Sequence, residues 1–279
     1  MPGTLYIVGT PIGNLGDMSP RAVETLREAS FIAAEDTRIS LKLLRHFGIS
    51  TPLISYHEHN LRSRGEMILS RMLAGESGAV ITDAGMPCIS DPGEDLVRLA
   101  ADNGVPVVVV PGPSAAISAL AVSGLPTGRF AFEGFLSMNK TARFEHLNAV
   151  KNDERTLIFY EAPHKLPHTL RDMLEVFGER RIALARELTK LHEEVVRTTF
   201  TKALELYEET SPRGEFVLIV EGAPPSERET VPFEQAVQLA REYVERGEGV
   251  SAASKMAAKE TGHKKSDIYK ALLAIKPES

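Results

Sequence analysis

The sequence predicts an α/β protein with two sheets, followed by a small helical module. Three observations support this fold class. Over the first 110 residues or so, short apolar runs alternate with segments of helix length. In the middle of the chain several strand candidates follow one another without a helix between them, and beyond Val231 the pattern is helical throughout.

The first region contains five short runs rich in apolar and β-branched residues, which we interpret as strands: Thr4–Gly9, Phe31–Ala34, Leu53–Tyr56, Ala79–Thr82 and Val107–Val110. Segments such as Pro20–Glu28 and Leu61–Ala74 separate them and are long enough for crossover helices. This alternation predicts βαβ units and a parallel sheet. The four valines Val107–Val110 are typical of a strand buried on both faces. We place the first domain at residues 1–111.

The second region is predicted to hold a mixed sheet at residues 112–222. Its helices are expected at Ala142–Val150 and Lys165–Phe177. Its strand candidates are Phe130–Phe135, Thr156–Tyr160, Ile182–Ala185, Glu194–Thr199 and Phe216–Glu221. Between the third and fourth of these strands the chain is too short for a helical crossover, so we expect antiparallel pairs.

The carboxyl-terminal segment is predicted to be a helical module, residues 231–279, behind a linker at Gly222–Glu227. Three helices are expected, at Phe233–Arg246, from Ser251 to Thr261 and at Ser266–Ile275, and Gly262 supplies a turn typical of helix-turn-helix units. The whole chain has a net charge of −6, but this module has eight lysines and arginines against seven acids. A nucleic-acid partner would therefore bind here.

Composition excludes several classes of protein. Cys88 is the single cysteine, and no Cys/His cluster has metal-ligand spacing, so we expect neither a disulfide nor a metal site. The most apolar stretch, Val105–Pro126, is interrupted by prolines and glycines and is not expected to span a membrane. The first residues lack the pattern of a secretory signal. We therefore expect a cytoplasmic protein with no membrane partner.

Three loops that are rich in Gly and Pro follow predicted strands: Gly9–Asp17, Thr82–Gly93 and Val110–Ala116. Loops at the carboxyl ends of parallel strands meet at one edge of the sheet, where such sheets bind small molecules. The first loop matches neither the dinucleotide fingerprint nor the phosphate-binding loop, which disfavours a nucleotide-binding protein. Each loop also has a simpler interpretation that involves no ligand. The first loop can be an ordinary turn, and Asp91 and Ser114 of the other two can cap the helices that follow.

Eight segments in order resemble the tetrapyrrole-methylase superfamily: VGTPIGNLGD, AEDTR, TDAGMPCISDPG, VPGPSA, FEGFL, FYEAPH, RELTKLHEE and GEFVLIVEG. Within it the chain resembles the branch that methylates the ribose 2′-oxygen of a decoding-region cytidine in 16S ribosomal RNA. The resemblance implies a two-domain tetrapyrrole-methylase-like fold and S-adenosylmethionine as methyl donor. It also implies 16S RNA or the small ribosomal subunit as partner, and a homodimer.

The resemblance also assigns residues to the cosubstrate. The segments that match best place Pro11, Ala84, Gly85, Met86, Ile89, Ser114 and Ala115 in contact with it. Less closely matching segments add Glu161, Leu188, Thr189, Gly214 and Phe216, together with their neighbours Tyr160 and Glu215. The second loop offers the carboxylate of Asp83 to a zwitterionic ligand.

A ribose hydroxyl is a poor nucleophile and gains from a nearby base or from a cation that stabilises the developing alkoxide. The ionisable residues of the matching segments are the candidates: Asp36, Arg38, Glu133, Glu161, Glu187 and Lys190, with His164 and His192 in addition. The sequence does not choose among them. Asp36 has a simpler reading as the cap of a helix at Ile39–Phe47.

Two groups of cations are candidates for RNA binding: Lys140 and Arg143 after FEGFL, and Lys255, Lys259, Lys264 and Lys265 around the predicted turn of the helical module. The alternative for the second group is a solvated helical surface. Two other functions stay open at this point. One is methylation of a porphyrin-like ring, which needs no helical module, and the other is a non-enzymatic RNA-binding assembly factor.

Overall fold

In the computed structural model, which describes residues 1–208, 212–225 and 231–274, the first region folds into a parallel sheet of five strands. The strands are β1 (Leu5–Val8), β2 (Phe31–Ala34), β3 (Leu53–Ser55), β4 (Gly78–Ile81) and β5 (Val107–Val110). They lie in the order β3-β2-β4-β1-β5, and every pairing is parallel. All five predicted strands are confirmed.

Helices cover both faces of this sheet: α1 (Pro20–Glu28), α2 (Thr37–His46), α3 (Leu61–Leu73) and α4 (Glu94–Asp102). Leu26 of α1 and Leu44 of α2 pack in the core of one face. Ile68 of α3 and Leu96 of α4 pack in the core of the other. Because both faces are covered, β2 and β4 are buried along their whole length.

The prediction that Val107–Val110 is buried on both faces is wrong. Val107, Val108 and Val109 are 36%, 39% and 55% exposed, and only Val110 is buried. The reason is the position of β5 at the edge of the sheet, where it pairs with β1 alone. An apolar run identifies a strand but not its place in the sheet.

The second sheet is mixed, as predicted. Its strands are β6 (Phe130–Phe135), β7 (Thr156–Glu161), β8 (Arg181–Arg186), β9 (Glu194–Thr199) and β10 (Phe216–Val220). They lie in the order β6-β7-β10-β8-β9; β6 and β7 are parallel, and the other pairs are antiparallel. In this register Phe216 lies between Glu161 and Arg186, so the end of β7 and the start of β10 are neighbours.

Four helices belong to this second region: α5 (Ala115–Ser123), α6 (Lys140–Val150), α7 (Leu166–Phe177) and α8 (Phe200–Glu208). Short 3-10 helices also occur at Leu15–Asp17 and Pro163–Lys165. Helix α8, which follows β9 directly, is absent from the predicted elements. Its buried residues Phe200, Ala203 and Tyr207 have helical spacing that could have revealed it.

The chain divides into two compact units, Met1–Ala223 and Pro224–Ser279. Both sheets lie in the first unit, and a further division between residues 1–111 and 112–222 stays a prediction. The predicted linker begins too early, because the amide of Ala223 donates to the carbonyl of Asp153 (2.7 Å), which ties residue 223 to the first unit. Residues 226 and 227 of that linker lie outside the described residues.

The second unit has three helices among its described residues, α9 (Phe233–Glu245), α10 (Val250–Thr261) and α11 (Lys265–Ala274). Ala236, Ala240, Ala257 and Ile268 form its core. The turn at Gly262 lies where it was predicted, and Ile275, the predicted last residue of α11, lies outside the described residues. No helix in the described part of the chain has the length and apolar character that a membrane crossing requires.

Candidate functional site

The three loops that follow β1, β4 and β5 converge, as predicted. Thr10 and Gly85 exchange backbone hydrogen bonds, from the Thr10 amide to the Gly85 carbonyl (2.9 Å) and from the Gly85 amide to the Thr10 carbonyl (3.2 Å). The first and third loops touch through backbone alone, because a Cβ on Gly9 would lie 2.7 Å from the Cα of Gly112. The sequence therefore builds one rigid wall from three separate segments.

A cavity of about 400 Å³ lies between these loops and the ends of β7 and β10. Its volume is within the range of small-molecule sites, roughly 300–1,000 Å³. We name it the first cavity. Its lining comprises Ile12, Glu35, Thr82, Asp83, Ala84, Gly85, Met86, Ile89, Ser90, Asp91, Ser114, Ala115, Phe135, Tyr160, Glu161, Ala162, Pro163, Ala185, Leu188, Glu215, Phe216 and Val217.

Twelve of the fifteen residues that the resemblance or the second loop assigns to the cosubstrate line the first cavity: Asp83, Ala84, Gly85, Met86, Ile89, Ser114, Ala115, Tyr160, Glu161, Leu188, Glu215 and Phe216. Three do not. Pro11 lines a neighbouring cavity, and the Thr189 hydroxyl accepts the amide of Asn14 (3.1 Å). Gly214 packs against Glu187, whose side chain would collide with any Cβ at that position.

The structure adds lining residues that the sequence analysis missed, among them Glu35, Asp91, Phe135 and Pro163. The simpler reading of Asp91 as a helix cap is wrong, because α4 begins after Gly93 and no side chain caps it. Ser114 does precede α5, but its side chain makes no capping bond and lines the cavity instead. Asp91 belongs to the second loop, so the loop motif itself was the available signal.

Carboxylates dominate the polar part of the first cavity. Burial raises the pKa of Asp91 to about 6, and the nearby negative charges of Glu35 and Asp83 add to the effect. Burial also raises the pKa of Asp83. The hydroxyl of Thr82 donates to Glu35 (3.1 Å). Carboxylates held together in a half-buried site favour a cationic ligand, which relieves their mutual repulsion.

Glu161 and Tyr160 line the cavity but already have partners. The buried carboxylate of Glu161 accepts the amide of Ala162 (2.8 Å) and the hydroxyl of Thr169. The hydroxyl of Tyr160 accepts the amide of Ala116 (3.3 Å), and burial raises its pKa. The ring of Tyr160 lies 5.4 Å from that of Phe135. These two residues shape the wall rather than supply a free base.

Glu187 and Lys190 form a network beside the cavity and do not line it. The ammonium of Lys190 donates to Glu187 (2.9 Å) and to Glu215 (2.8 Å), and Glu187 also accepts the amide of Glu215 (3.0 Å). The backbone hydrogen bond from Glu215, and then the contact with Lys190, lower the pKa of Glu187. Glu215 itself lines the cavity, so this network fixes a lining residue.

The remaining catalytic candidates do not line the first cavity, although the backbone amide of Asp36 donates to the lining residue Asp83 (3.2 Å). Asp36 caps α2, accepting the amide of Arg38 (2.8 Å), and the ion pair with Arg38 (2.6 Å) lowers its pKa. The Arg38 side chain is 87% exposed. Glu133 pairs with His146 (2.9 Å). His164 and His192 are also exposed. The structure thus supports the capping role of Asp36 and pairs it with Arg38, whereas Glu133, His164 and His192 are absent from the cavity lining.

The predicted RNA-binding cations differ in their surroundings. Arg143 is held by Asp172 (2.7 Å) and by the carbonyls of Ser137 and Met138, whereas Lys140 is exposed above the ring of Phe144. In the second unit the four predicted lysines are all exposed, and none forms an ion pair with another described residue: Lys255, Lys259, Lys264 and Lys265.

Known proteins resemble this chain over most of its length. Residues 4–204 match the family model of Tetrapyrrole (Corrin/Porphyrin) Methylases. A Synechocystis protein named ribosomal RNA small subunit methyltransferase I is 46% identical over 277 residues, 99% of each chain. A Thermotoga maritima protein of the same name is 46% identical over 220 residues, 79% of this chain and 99% of that one.

The fold agrees with these matches. The crystal structure of uroporphyrin-III C-methyl transferase from Thermus thermophilus complexed with S-adenyl homocysteine has a TM-score of 0.54 at 19% identity, covering 78% of this chain and 97% of that one. The two sheets, the converging loops and the sequence matches agree with one another. The chain therefore belongs to the tetrapyrrole (corrin/porphyrin) methylase family.

Proposed function

We propose that this chain transfers the methyl group of S-adenosylmethionine to 16S ribosomal RNA, at the ribose 2′-oxygen of a decoding-region cytidine. The observation that carries the proposal is the 46% identity, over 99% of both chains, to a protein named ribosomal RNA small subunit methyltransferase I. The geometry of the first cavity supports it. The relatives that carry this name come from bacteria, whose ribosomes are assembled in the cytoplasm, so we place the activity there.

The first cavity fits the methyl donor. Its apolar lining, including Met86, Leu188 and Phe216, suits an adenosine moiety, and its carboxylates suit a sulfonium and an amine. Gly85 adopts a φ of +89°, and a Cβ there would lie 3.4 Å from Ile12. A glycine at this point keeps a wall of the cavity as bare backbone that a ligand can approach closely.

When bound, S-adenosylmethionine supplies an electrophilic methyl group on a sulfonium. The chain's own contribution is to hold the ligand against the converging loops, which makes the methyl group accessible from one direction. Asp83 and Asp91 can accept the proton of the acceptor hydroxyl, because both line the cavity and have raised pKa values. Among the six predicted catalytic residues only Glu161 lines the cavity, and its oxygens are already hydrogen-bonded.

Binding of RNA is assigned to the second unit. The exposed lysines Lys255, Lys259, Lys264 and Lys265 lie on α10, on α11 and in the turn between them, where they can contact phosphates. The Thermotoga protein qualifies this assignment, because its 220 matched residues equal the length of the first unit to within a few residues. We therefore propose that the second unit raises affinity for RNA without being needed for methyl transfer.

A homodimer is part of the proposal. The edge strand β5 leaves Val108 and Val109 exposed, and Ile117 of the adjacent α5 is 51% exposed. An apolar strand edge of this kind is a site for pairing with another chain. A Val109→Glu substitution should convert a dimer to a monomer, measured by light scattering after size-exclusion chromatography. A wild-type monomer at micromolar concentration would contradict this part.

The proposed activity is tested by incubating the full chain with S-adenosylmethionine labelled in the methyl group and either naked 16S RNA or small subunits. We expect label on the ribose of one decoding-region cytidine. Label on a base would refute the ribose assignment. Absence of label on RNA, with transfer to a porphyrin-like ring, would favour the ring methylase instead. Tight binding of RNA without any binding of S-adenosylmethionine would favour the assembly factor.

A further inference from the structure

A second cavity of about 250 Å³ adjoins the first within the first unit. Its lining comes from the first loop, from α2 and from the end of β4: Pro11, Gly13, Leu15, Ile39, Ser40, Lys42, Leu43, His46, Thr82 and Asp83. Thr82 and Asp83 also line the first cavity. The two cavities therefore share one wall, and a ligand in each would lie on either side of Asp83.

Ser40 gives this second cavity an unused hydrogen-bonding group. The residue is 2% exposed, and its hydroxyl has no hydrogen-bond partner. A buried hydroxyl is almost always paired, and a helical serine usually bonds to a carbonyl one turn back. Ser40 lines the cavity without making that bond. Its hydroxyl oxygen is itself covered, so a rotation about χ1 has to turn it into the cavity before a ligand can complete its hydrogen bond.

Among the described residues, Asp83 is the one carboxylate in the lining of the second cavity, and the basic side chains on its α2 side favour an anionic group there. Helix α2, Thr37–His46, carries three lysines and arginines and no acidic residue, although the whole chain has a net charge of −6. Lys42, Arg45 and His46 are exposed and form no ion pair with the described residues. Leu15 and Ile39 add exposed apolar surface, 41% and 44%, of the kind on which a nucleobase can lie.

We infer that the second cavity receives the base of the acceptor nucleotide and that the cations of α2 contact the phosphates beside it. The inference rests on the proposed function. Enzymes that do chemistry on a base flip its nucleotide out of the stack into a pocket that binds the base edge by hydrogen bonds, and we extend this to a nucleotide modified on its ribose. Here the Ser40 hydroxyl forms a hydrogen bond with the edge of the base. The ribose then lies towards Thr82 and Asp83, at the wall shared with the cavity for the methyl donor.

Photocrosslinking tests this placement without relying on turnover. The full chain is mixed with a small-subunit RNA fragment that carries a photoreactive cytidine at the acceptor position, in the presence of S-adenosylhomocysteine. After irradiation and digestion, mass spectrometry identifies the linked peptides. We expect links within residues 37–46 or 11–15. Links confined to residues 231–274, or to the second sheet, would overturn the inference.

Substitution of Ser40 separates binding of the base from stability. Ser40→Ala should raise Tm, because it removes an unpaired buried hydroxyl, and should raise the KM for RNA about three- to tenfold. Ser40→Leu, which fills the cavity, should raise that KM further. Neither should change the Kd of S-adenosylmethionine, measured by calorimetry, more than about twofold, roughly 0.4 kcal/mol.

The outcomes distinguish this inference from the proposed function. If the wild-type chain methylates the RNA but both Ser40 variants keep its KM, the inference fails and the proposed function stands. If Ser40→Leu does not fold, Ser40→Ala still decides, because an unchanged KM in that variant refutes the role of the hydroxyl. If the wild-type chain transfers no methyl group to any small-subunit RNA, both fail.

Discussion

The two units of this chain use their residues in different ways. In the first unit three loops are fixed to one another through backbone contacts, and carboxylates with raised pKa values face a cavity. In the second unit the core contains four small or medium-sized residues, and the lysines lie on the surface without ion pairs among the described residues. The difference indicates that the first unit positions the reacting groups, whereas the second unit supplies positive charge for binding RNA.

The largest effect is expected from a change in the rigid wall of the first cavity. Gly85→Val should weaken binding of S-adenosylmethionine at least about 100-fold, because it adds a branched side chain to a wall that ligands approach as bare backbone. Calorimetric titration gives the affinity. Gly48→Val is the matched control, since Gly48 also has a positive φ (+63°) but has no atom within 4 Å of its Cβ position.

The control separates backbone strain from loss of the cavity. Both variants carry the strain of a branched residue at positive φ, about 1–2 kcal/mol, but only Gly85→Val alters the first cavity. Normal affinity in a folded Gly85→Val protein would mean that the methyl donor binds elsewhere.

The next largest effect concerns proton transfer. Asp83→Asn or Asp91→Asn should lower kcat by about 10²- to 10⁴-fold, because one of these carboxylates receives the proton of the acceptor hydroxyl. Alanine variants of Asp36, Arg38 and Glu133 should keep near-normal kcat under saturating substrates, since these residues do not line the cavity. Near-normal turnover in both Asn variants would mean that neither aspartate accepts the proton. Catalysis would then come from positioning of the substrates alone, or from Glu187 and Lys190.

The raised pKa of Asp91 predicts a pH dependence. Because its carboxyl is protonated below about pH 6, the site loses a negative charge there, and the affinity for the cationic methyl donor should fall up to about tenfold per pH unit. Calorimetry between pH 5 and 8 measures the fall. Asp91→Asn should bind weakly at every pH and abolish the dependence. An unaltered pH profile in that variant would assign the dependence to another group.

The same pKa has a consequence for stability. The folded state holds this proton to about pH 6, whereas the unfolded state releases it near the ordinary aspartate pKa of 3.8, so stability falls as pH rises between these values. At pH 7.5, Asp91→Asn should raise the free energy of unfolding by about 1 kcal/mol, after allowance for the partial exposure of the carboxyl. Urea unfolding gives the value, and a destabilised variant would contradict it.

The smallest effect is expected from single lysines of the second unit. Lys264→Ala should weaken RNA binding about two- to fivefold and lower the slope of log affinity against log salt by about 0.7–0.9, because one phosphate contact is lost. Lys202→Ala, on the exposed surface of α8, is the control. Equal effects of the two substitutions would show a general charge effect in place of a defined contact.

Local sequence patterns predicted the strands of the fold well. Features that depend on which distant segments pair in the fold could not be predicted from them. All ten strands have local signatures in the sequence, so they could be predicted. The exposure of Val107–Val109 could not, because it depends on β5 lying at the sheet edge, a property of chain topology. The loop motifs predicted one wall of the first cavity. Phe135 and Pro163 of the opposite wall come from distant segments, which only the fold brings there.

The hydrogen-bonding state of individual side chains could not be predicted from the sequence either. The sequence shows that Glu161 and Asp91 lie in motif segments. It does not show that the Thr169 hydroxyl donates to Glu161, or that burial raises the pKa of Asp91. Ser40 has no signature at all, because a serine within a helix usually has a partner in the preceding turn. Such features follow from packing, and packing is decided by the whole first unit.

The most direct test of the division between the two units uses a chain that ends at Pro225, beyond the last contact of the first unit. Its kcat, its KM for small-subunit RNA across a range of salt concentrations, and the labelled nucleotide are compared with those of the full chain. We predict the same nucleotide and an unchanged kcat, with a KM raised at least about tenfold and less dependent on salt. A lost kcat despite normal affinity for S-adenosylmethionine, or an unchanged KM at every salt concentration, would contradict this account.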